Sequence, residues 1–196
     1  MNYESQFHNA LIFSQKVGLD APNWDKICEK IVTLSMEQDL ANLMTRILGI
    51  PQCLDNLSGQ CMQVHWSHMN EIKQIVGSDV CLTIGSVISD DGDDWFAVSE
   101  DDVSDWIANG IDFTIPQKLH ELHAWLTLPS MEIIDITFLP TFAHAQHLKD
   151  PAKRNLEFGP IAKYADDVTG FSYVPIALGN DMATKLKIPT LNLIVI

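Results

Sequence analysis

Between residues 122 and 138 apolar and polar positions alternate along two short runs that flank Pro129-Ser130-Met131. A period of two is that of a strand, and β-formers on either side of a short turn predict a β-hairpin. Ala124, Leu126 and Leu128 fall on one face of the first strand, and Ile134, Ile136 and Phe138 on one face of the second. All six are apolar and are expected to share the buried face. The register is constrained, because a slip of one residue would turn one set outward. The other face carries His123, Trp125 and Thr127 on one strand and Ile133, Asp135 and Thr137 on the other. His123 is thereby set opposite or diagonal to Asp135, with directly opposed Cβ atoms roughly 5 Å apart.

Elsewhere the pattern is helical before the hairpin and strand-like after it. Residues 4–17 are expected to form a short helix, ended by Asp20-Ala21-Pro22-Asn23. Trp24, Ile27, Cys28, Ile31 and Leu34, then Leu40, Leu43, Met44, Ile47 and Leu48, recur at helical spacing up to Gly49 and Pro51. They predict one long helix or two shorter ones, with Cys28 on the apolar stripe as a core residue. A loop over 51–60 leads into a helix from about Cys61 to Val76, closed by Gly77-Ser78-Asp79, and Val80–Ile88 follows as a strand with Cys81 packed in it. Ser99 to Gly110 reads as a helix with a partial capping box through Asp102. Ser172–Leu178 is a further strand, and the apolar tail Leu191–Ile196 a final strand or a segment docked on the core. Helices first and antiparallel strands later point to an α+β fold, a helical N-terminal half packed on an antiparallel sheet.

The chain has 196 residues, a length expected of a single domain with a substantial core. Within it, 1–57 form a helical region, 58–140 the chemical core and 141–196 a C-terminal extension with one or two strands. The net charge of -14 argues against nucleic acid, whose phosphates call for clustered Lys and Arg, and against anionic membranes. Absence of a basic segment followed by an apolar run at Met1–Gln6, and of any stretch long enough to span a bilayer, leads us to expect a cytoplasmic protein with reduced cysteines. Residues 89–105 hold eight acidic side chains and no Lys or Arg. Ser89–Asp94 faintly suggests a calcium loop but lacks the distal Glu of that pattern, so the segment is read as a solvated acidic loop.

An imidazole held beside a carboxylate is the base-and-orienter half of a catalytic triad, and Cys61 is the candidate nucleophile. It begins a helix, where unpaired N–H groups and the positive dipole end stabilise a thiolate and can hold an oxyanion. Trp125 shares the His123 face and is a candidate wall of a substrate cleft, or a packing residue. His120 is a competing base, disfavoured by its charged neighbours Lys118 and Glu121. A rival constellation is zinc. Cys61, His65 and His68 lie at helical spacings of four and three, and His120 or His123 would complete a ligand set. No Cys-x-x-Cys or His-Glu-x-x-His supports it, and His144 with His147 forms a similar pair in weaker context.

Gly59-Gln60-Cys61 opening a helix, then a strand, then His123-Ala124-Trp125 and Ile134-Asp135-Ile136-Thr137 resemble the transglutaminase-like branch of the papain-like cysteine enzymes. The resemblance spans about residues 58–138. It implies a cysteine at a helix N-terminus facing a histidine and an aspartate on adjacent antiparallel strands. Cys61 would then be the nucleophile, His123 the base and later the acid, and Asp135 the orienter. The papain subgroup usually has an oxyanion-binding glutamine several residues before the cysteine. Position 55 is Asp55 here, and the nearer candidates are Gln60 and Gln52. The expected function is cysteine-dependent acyl transfer on an amide or thioester of a protein, peptide or small molecule, as peptidase, amidase, deamidase or transglutaminase-like enzyme, with no cofactor or metal. The alternatives are a non-catalytic binding or scaffold module of the same fold and a zinc-binding module on Cys61, His65 and His68. The oligomeric state is not legible in the sequence.

Overall fold

A computed structural model of the chain describes residues 2–24, 27–48, 60–111, 122–149 and 159–188. The elements in chain order are α1 (Tyr3–Lys16), α2 (Leu34–Leu48), α3 (Cys61–Val76), β1 (Cys81–Ser89), α4 (Glu100–Asn109), β2 (His123–Thr127), β3 (Glu132–Asp135), α5 (Phe138–Lys149), β4 (Ile161–Tyr164), β5 (Phe171–Leu178) and the one-turn α6 (Met182–Lys185). The strands form one antiparallel sheet in the order β4-β3-β2-β1-β5. The fold is therefore α+β, as the order of patterns indicated. No helix among the described residues is long and apolar enough to cross a membrane.

Local chemistry sets the helix boundaries. The Asn2 side chain accepts the Ser5 N–H at 3.2 Å to open α1. Ser99 and Asp102 form a full capping box on α4. Gly77 ends α3 at φ 61°, in the left-handed region where a Cβ is costly.

Both faces of the sheet are covered. On one side Leu82, Ile84, Ala124, Leu126 and Ile134 meet Leu40, Leu43, Val64, Ile72 and Val103 from α2, α3 and α4. Each fully buried Leu or Ile of that layer contributes about 1.5–3 kcal/mol. On the other side Cys81, Val87, Trp125 and Ile133 meet Tyr3, Phe7 and Ala10 of α1 and Phe138 of α5. The chain passes from α1 to α2 around the β2–β3 turn, where the buried Glu132 carboxylate accepts from Ile31 N–H, Val32 N–H and the Ser130 hydroxyl. Cys28 N–H bonds to Pro129 O at 3.2 Å in the same clasp.

At three places the structure departs from the hydropathy reading. Residues 27–33 are not helical, and α2 starts only at Leu34 behind Thr33, whose hydroxyl accepts the Met36 N–H. Their N–H groups go to Glu132 and Pro129, and Cys28 is exposed rather than in the core. Phe138 does not join Ile134 and Ile136; β3 ends at Asp135, and Phe138, as the first residue of α5, turns to the opposite core. Strand β4 lies inside the polar stretch after residue 150, with only Ile161 and Ala162 of its four residues buried. The Leu191–Ile196 tail and the 51–59 loop lie outside the described residues.

Candidate functional site

Cys61 is the first residue of α3. The helix lies on β2 through Cys61, His65, Met69, Ile72 and Val76, a stripe at spacings of three and four. Gln60 takes the N-cap position, its side chain making no capping bond, and its carbonyl accepts the Val64 N–H. The Cys61 thiol lies 3.4 Å from Leu122 O and within hydrogen-bonding reach of the His123 imidazole.

His123 opens β2 and Asp135 closes β3. The pairing Leu126↔Ile134 sets Asp135 across from Trp125, so His123 and Asp135 are diagonal neighbours on one face. Their side chains meet at 2.6 Å, His123 Nε2 to Asp135 Oδ2, which leaves Nδ1 for Cys61. The sheet bulges between Ile84 and Gly85 beside this point, and Gly85 pairs with His123. A Cβ on Gly85 would stand 2.0 Å from Val174 O and 2.9 Å from the Trp125 ring, so only glycine allows β5 to close here.

The Asp135 carboxylate is held on both oxygens. Oδ1 accepts from Thr137 N–H, the Thr137 hydroxyl and Phe138 N–H at 2.9, 3.1 and 2.9 Å. Phe138 begins α5, whose positive end therefore faces the anion. Oδ2 accepts from the Tyr173 hydroxyl at 2.9 Å as well as from His123. Burial alone would raise this carboxyl; the His123 charge and hydrogen bond outweigh it and hold Asp135 well below the usual carboxylate range. Burial likewise disfavours a charged His123, but the Asp135 charge and hydrogen bond, with Cys61 adding to them, carry the imidazole up to about 10. The pair is a buried imidazolium–carboxylate.

His65, one helical turn after Cys61, is fully buried. Its Nδ1 faces Cys61 O at 2.8 Å and its Nε2 accepts the Ile136 N–H at 3.1 Å. Nε2 also stands 3.6 Å from Asp135 Oδ1. A ring nitrogen that accepts an amide proton carries none, so this contact is not an ion pair. Burial, outweighing the Asp135 charge, lowers His65 to about 4 and keeps it neutral. With both ring nitrogens engaged His65 has no lone pair for zinc, and among the described residues no group of His, Cys, Asp and Glu could hold a metal ion. His68 instead faces Glu71 at 3.7 Å.

Aromatic rings enclose the imidazole. Phe96 stacks on it at 4.7 Å and 22°, and Phe138 meets it edge-on at 5.5 Å. Trp95 N–H bonds to Val87 O and Val98 N–H to the Ser86 hydroxyl, which ties the acidic segment to β1 and brings it to the site. Trp125 is fully buried; its ring lies 5.9 Å from His123 and its indole N–H donates to Tyr3 OH at 2.8 Å. It packs beneath the imidazole, in the layer covered by α1.

The structure thus brings together Cys61, His123 and Asp135, with Gln60 at the helix start. His120, Gln52 and Asp55 lie outside the described residues, while His144 and His147 fall on α5, away from strands β2 and β3 in sequence. Tyr173, Phe96 and the bridging role of His65 were not found from the sequence. Tyr173 reads there only as part of a strand, Phe96 as part of a solvated acidic loop, and His65 as a candidate zinc ligand or an ordinary helix-surface or partly buried histidine. A tyrosine amid an otherwise apolar strand was the one available signal, because a buried phenol calls for a partner. No family model, curated protein or solved structure matches the chain, so the functional reading rests on the geometry of this site.

Proposed function

We propose that the chain is a cysteine-dependent acyl-transfer enzyme with a transglutaminase-like core, acting on an amide or thioester. One observation carries the reading: a cysteine on the first turn of a helix meets an imidazole whose other nitrogen is fixed by a buried carboxylate at 2.6 Å. These are the nucleophile, base and orienter of covalent acyl transfer.

Cys61 and His123 react as a thiolate–imidazolium pair, the cysteine proton resting on Nδ1 while Asp135 holds the proton on Nε2. The thiolate attacks the carbonyl carbon, and the carbonyl π electrons move to oxygen. The oxyanion is met by the α3 N-terminus and Gln60. As the tetrahedral intermediate collapses, His123 donates its proton to the leaving amine or thiol, and Cys61 keeps the acyl group. His123 then removes a proton from water or an amine, which attacks the thioester and releases Cys61. Water makes the protein a peptidase, amidase or deamidase; an amine makes it a transferase.

The second reading is a binding or scaffold module of the same core. It is favoured by burial, since Cys61 is only 5% exposed and His123 and Asp135 1% each.

Iodoacetamide labelling with mass-spectrometric site mapping separates the two. In the enzyme Cys61 reacts at pH 6 well ahead of the exposed Cys28, and His123→Ala abolishes that lead. A Cys61 as inert as the buried Cys81 in both proteins would sink the enzymatic reading.

A further inference from the structure

Tyr173 is a buried polar group of the site that the mechanism above leaves unused. It stands on β5, paired with Val87 of β1, and its ring packs edge-on against Trp125 at 5.0 Å and Phe138 at 6.0 Å. Packing accounts for the ring and not for the hydroxyl, which a phenylalanine would lack at no loss of contact. The hydroxyl donates to Asp135 Oδ2 at 2.9 Å, the same oxygen that receives His123 Nε2 at 2.6 Å. A carboxylate oxygen offers two in-plane lone pairs. With the phenol on one, the imidazole is confined to the other, while three donors fix Oδ1.

We propose that Tyr173 is a positioning residue of the Cys61-His123-Asp135 site, holding Asp135 Oδ2 so that His123 is presented to Cys61 in a single ring orientation. The proposal rests on the acyl-transfer reading above. Burial, and after it the Asp135 charge, push the phenol well above its ordinary range, so it remains a donor across the working range of pH. Removing a hydrogen-bond partner one step away from a reacting group typically changes its performance by about 10- to 100-fold, as for the residues that hold the ligands of metal sites.

Tyr173→Phe tests this, because it keeps the ring and removes only the oxygen. Two readouts are taken on the full chain. The first is the NMR resonance of the His123 Nε2 proton in histidine-labelled protein, assigned by its loss in His123→Ala. The second is the iodoacetamide rate of Cys61 against that of Cys28. The proposal expects the Nε2 proton to shift and to exchange faster with water, and the Cys61 rate to fall about tenfold. A purely structural tyrosine would lower the melting temperature and leave the imidazole resonance in place; that result overturns the proposal. A resonance that moves with no change in the Cys61 rate overturns it too, since the hydroxyl would then not act on the thiol. A wild-type Cys61 no faster than Cys28 overturns the acyl-transfer reading instead, and the Nε2 resonance still reports whether Tyr173 orients His123.

Discussion

The side of the sheet beneath α2 and α3 and the side beneath α1 and α5 are equally buried but differ in composition. The first presents Leu82, Ile84, Ala124, Leu126 and Ile134, with His65 reaching across from α3 to the Ile136 N–H just past β3. The second mixes Trp125, Val87 and Ile133 with Thr83, His123, Thr127, Asp135, Tyr3 and Tyr173, all buried. Those polar groups are paired with one another. Thr83 and Thr127 share a hydrogen bond of 2.8 Å, Thr127 another of 2.6 Å with Tyr3, and Trp125 N–H donates to Tyr3. A face rich in hydroxyls and charges can therefore be core, provided the partners lie within it. Here that same requirement assembles the His123–Asp135 pair.

The sharpest test of the difference is to truncate one residue on each face. Asp135→Ala leaves His123 and Tyr173 without their acceptor and is expected to cost about 3–5 kcal/mol in urea unfolding. Leu126→Ala opens a cavity on the other face at about 2–5 kcal/mol. Only Asp135→Ala is expected to remove the reactivity lead of Cys61 over Cys28. Equal loss of that lead in both variants would show the two faces to be one unit.

The two fully buried histidines titrate at opposite ends of the pH scale. His65 is lowered to about 4, so the unfolded chain binds its proton more readily. Its contribution is complete above the unfolded value near 6.5 and is lost as pH falls towards 4, about 3 kcal/mol in all. His123 is raised to about 10. Its contribution is complete below about 6.5 and is lost as pH rises through 10. Asp135, held low, adds an acid loss below the ordinary carboxylate range, beneath the His65 window. Stability against pH should fall on both flanks. His65→Gln is expected to flatten the fall between pH 6.5 and 4 and spare the alkaline one, a separation that urea midpoints measured across that range would reveal or refute.

The smallest effect concerns the hydroxyl chain alone. Tyr3→Phe orphans the Trp125 N–H and one Thr127 bond while keeping the ring, at an expected cost of about 1–3 kcal/mol. Substituting Phe7, which meets Trp24 face to face at 5.6 Å, by Leu should cost less and leave the chain of hydroxyls intact.

Much of this was legible in the sequence because periodicity reports burial on a uniformly apolar face. Helices α1, α3 and α4, strands β1 and β5, and the hairpin all follow from it. Alternation in the hairpin was also enough to bring His123 beside Asp135. It failed where the partner was distant in sequence. Residues 27–33 carry apolar side chains at helical spacing, yet Glu132, a hundred positions later, takes their N–H groups. The burial of the mixed face was not legible locally, because the hydroxyl that satisfies Trp125 belongs to Tyr3. Tyr173 reaches Asp135 from the far side of β1, a contact that no local spacing encodes. The meeting of Cys61 with His123, 62 positions apart, came from family resemblance and not from pattern.

The seat of α1 has a consequence for how the chain is made. Tyr3 N–H bonds to Asp166, Tyr3 OH to Thr127, and the Ser14 hydroxyl receives the N–H of Leu178. During synthesis α1 thus waits for partners that emerge 124 to 164 residues later. At typical synthesis rates that is roughly 6–33 s. Until β5 emerges, Tyr3, Phe7 and Ala10 lack part of the sheet they cover. Helix α1 cannot be fully seated until β5 has emerged, and newly made chains are open to chaperones and to misassociation along its apolar face until then.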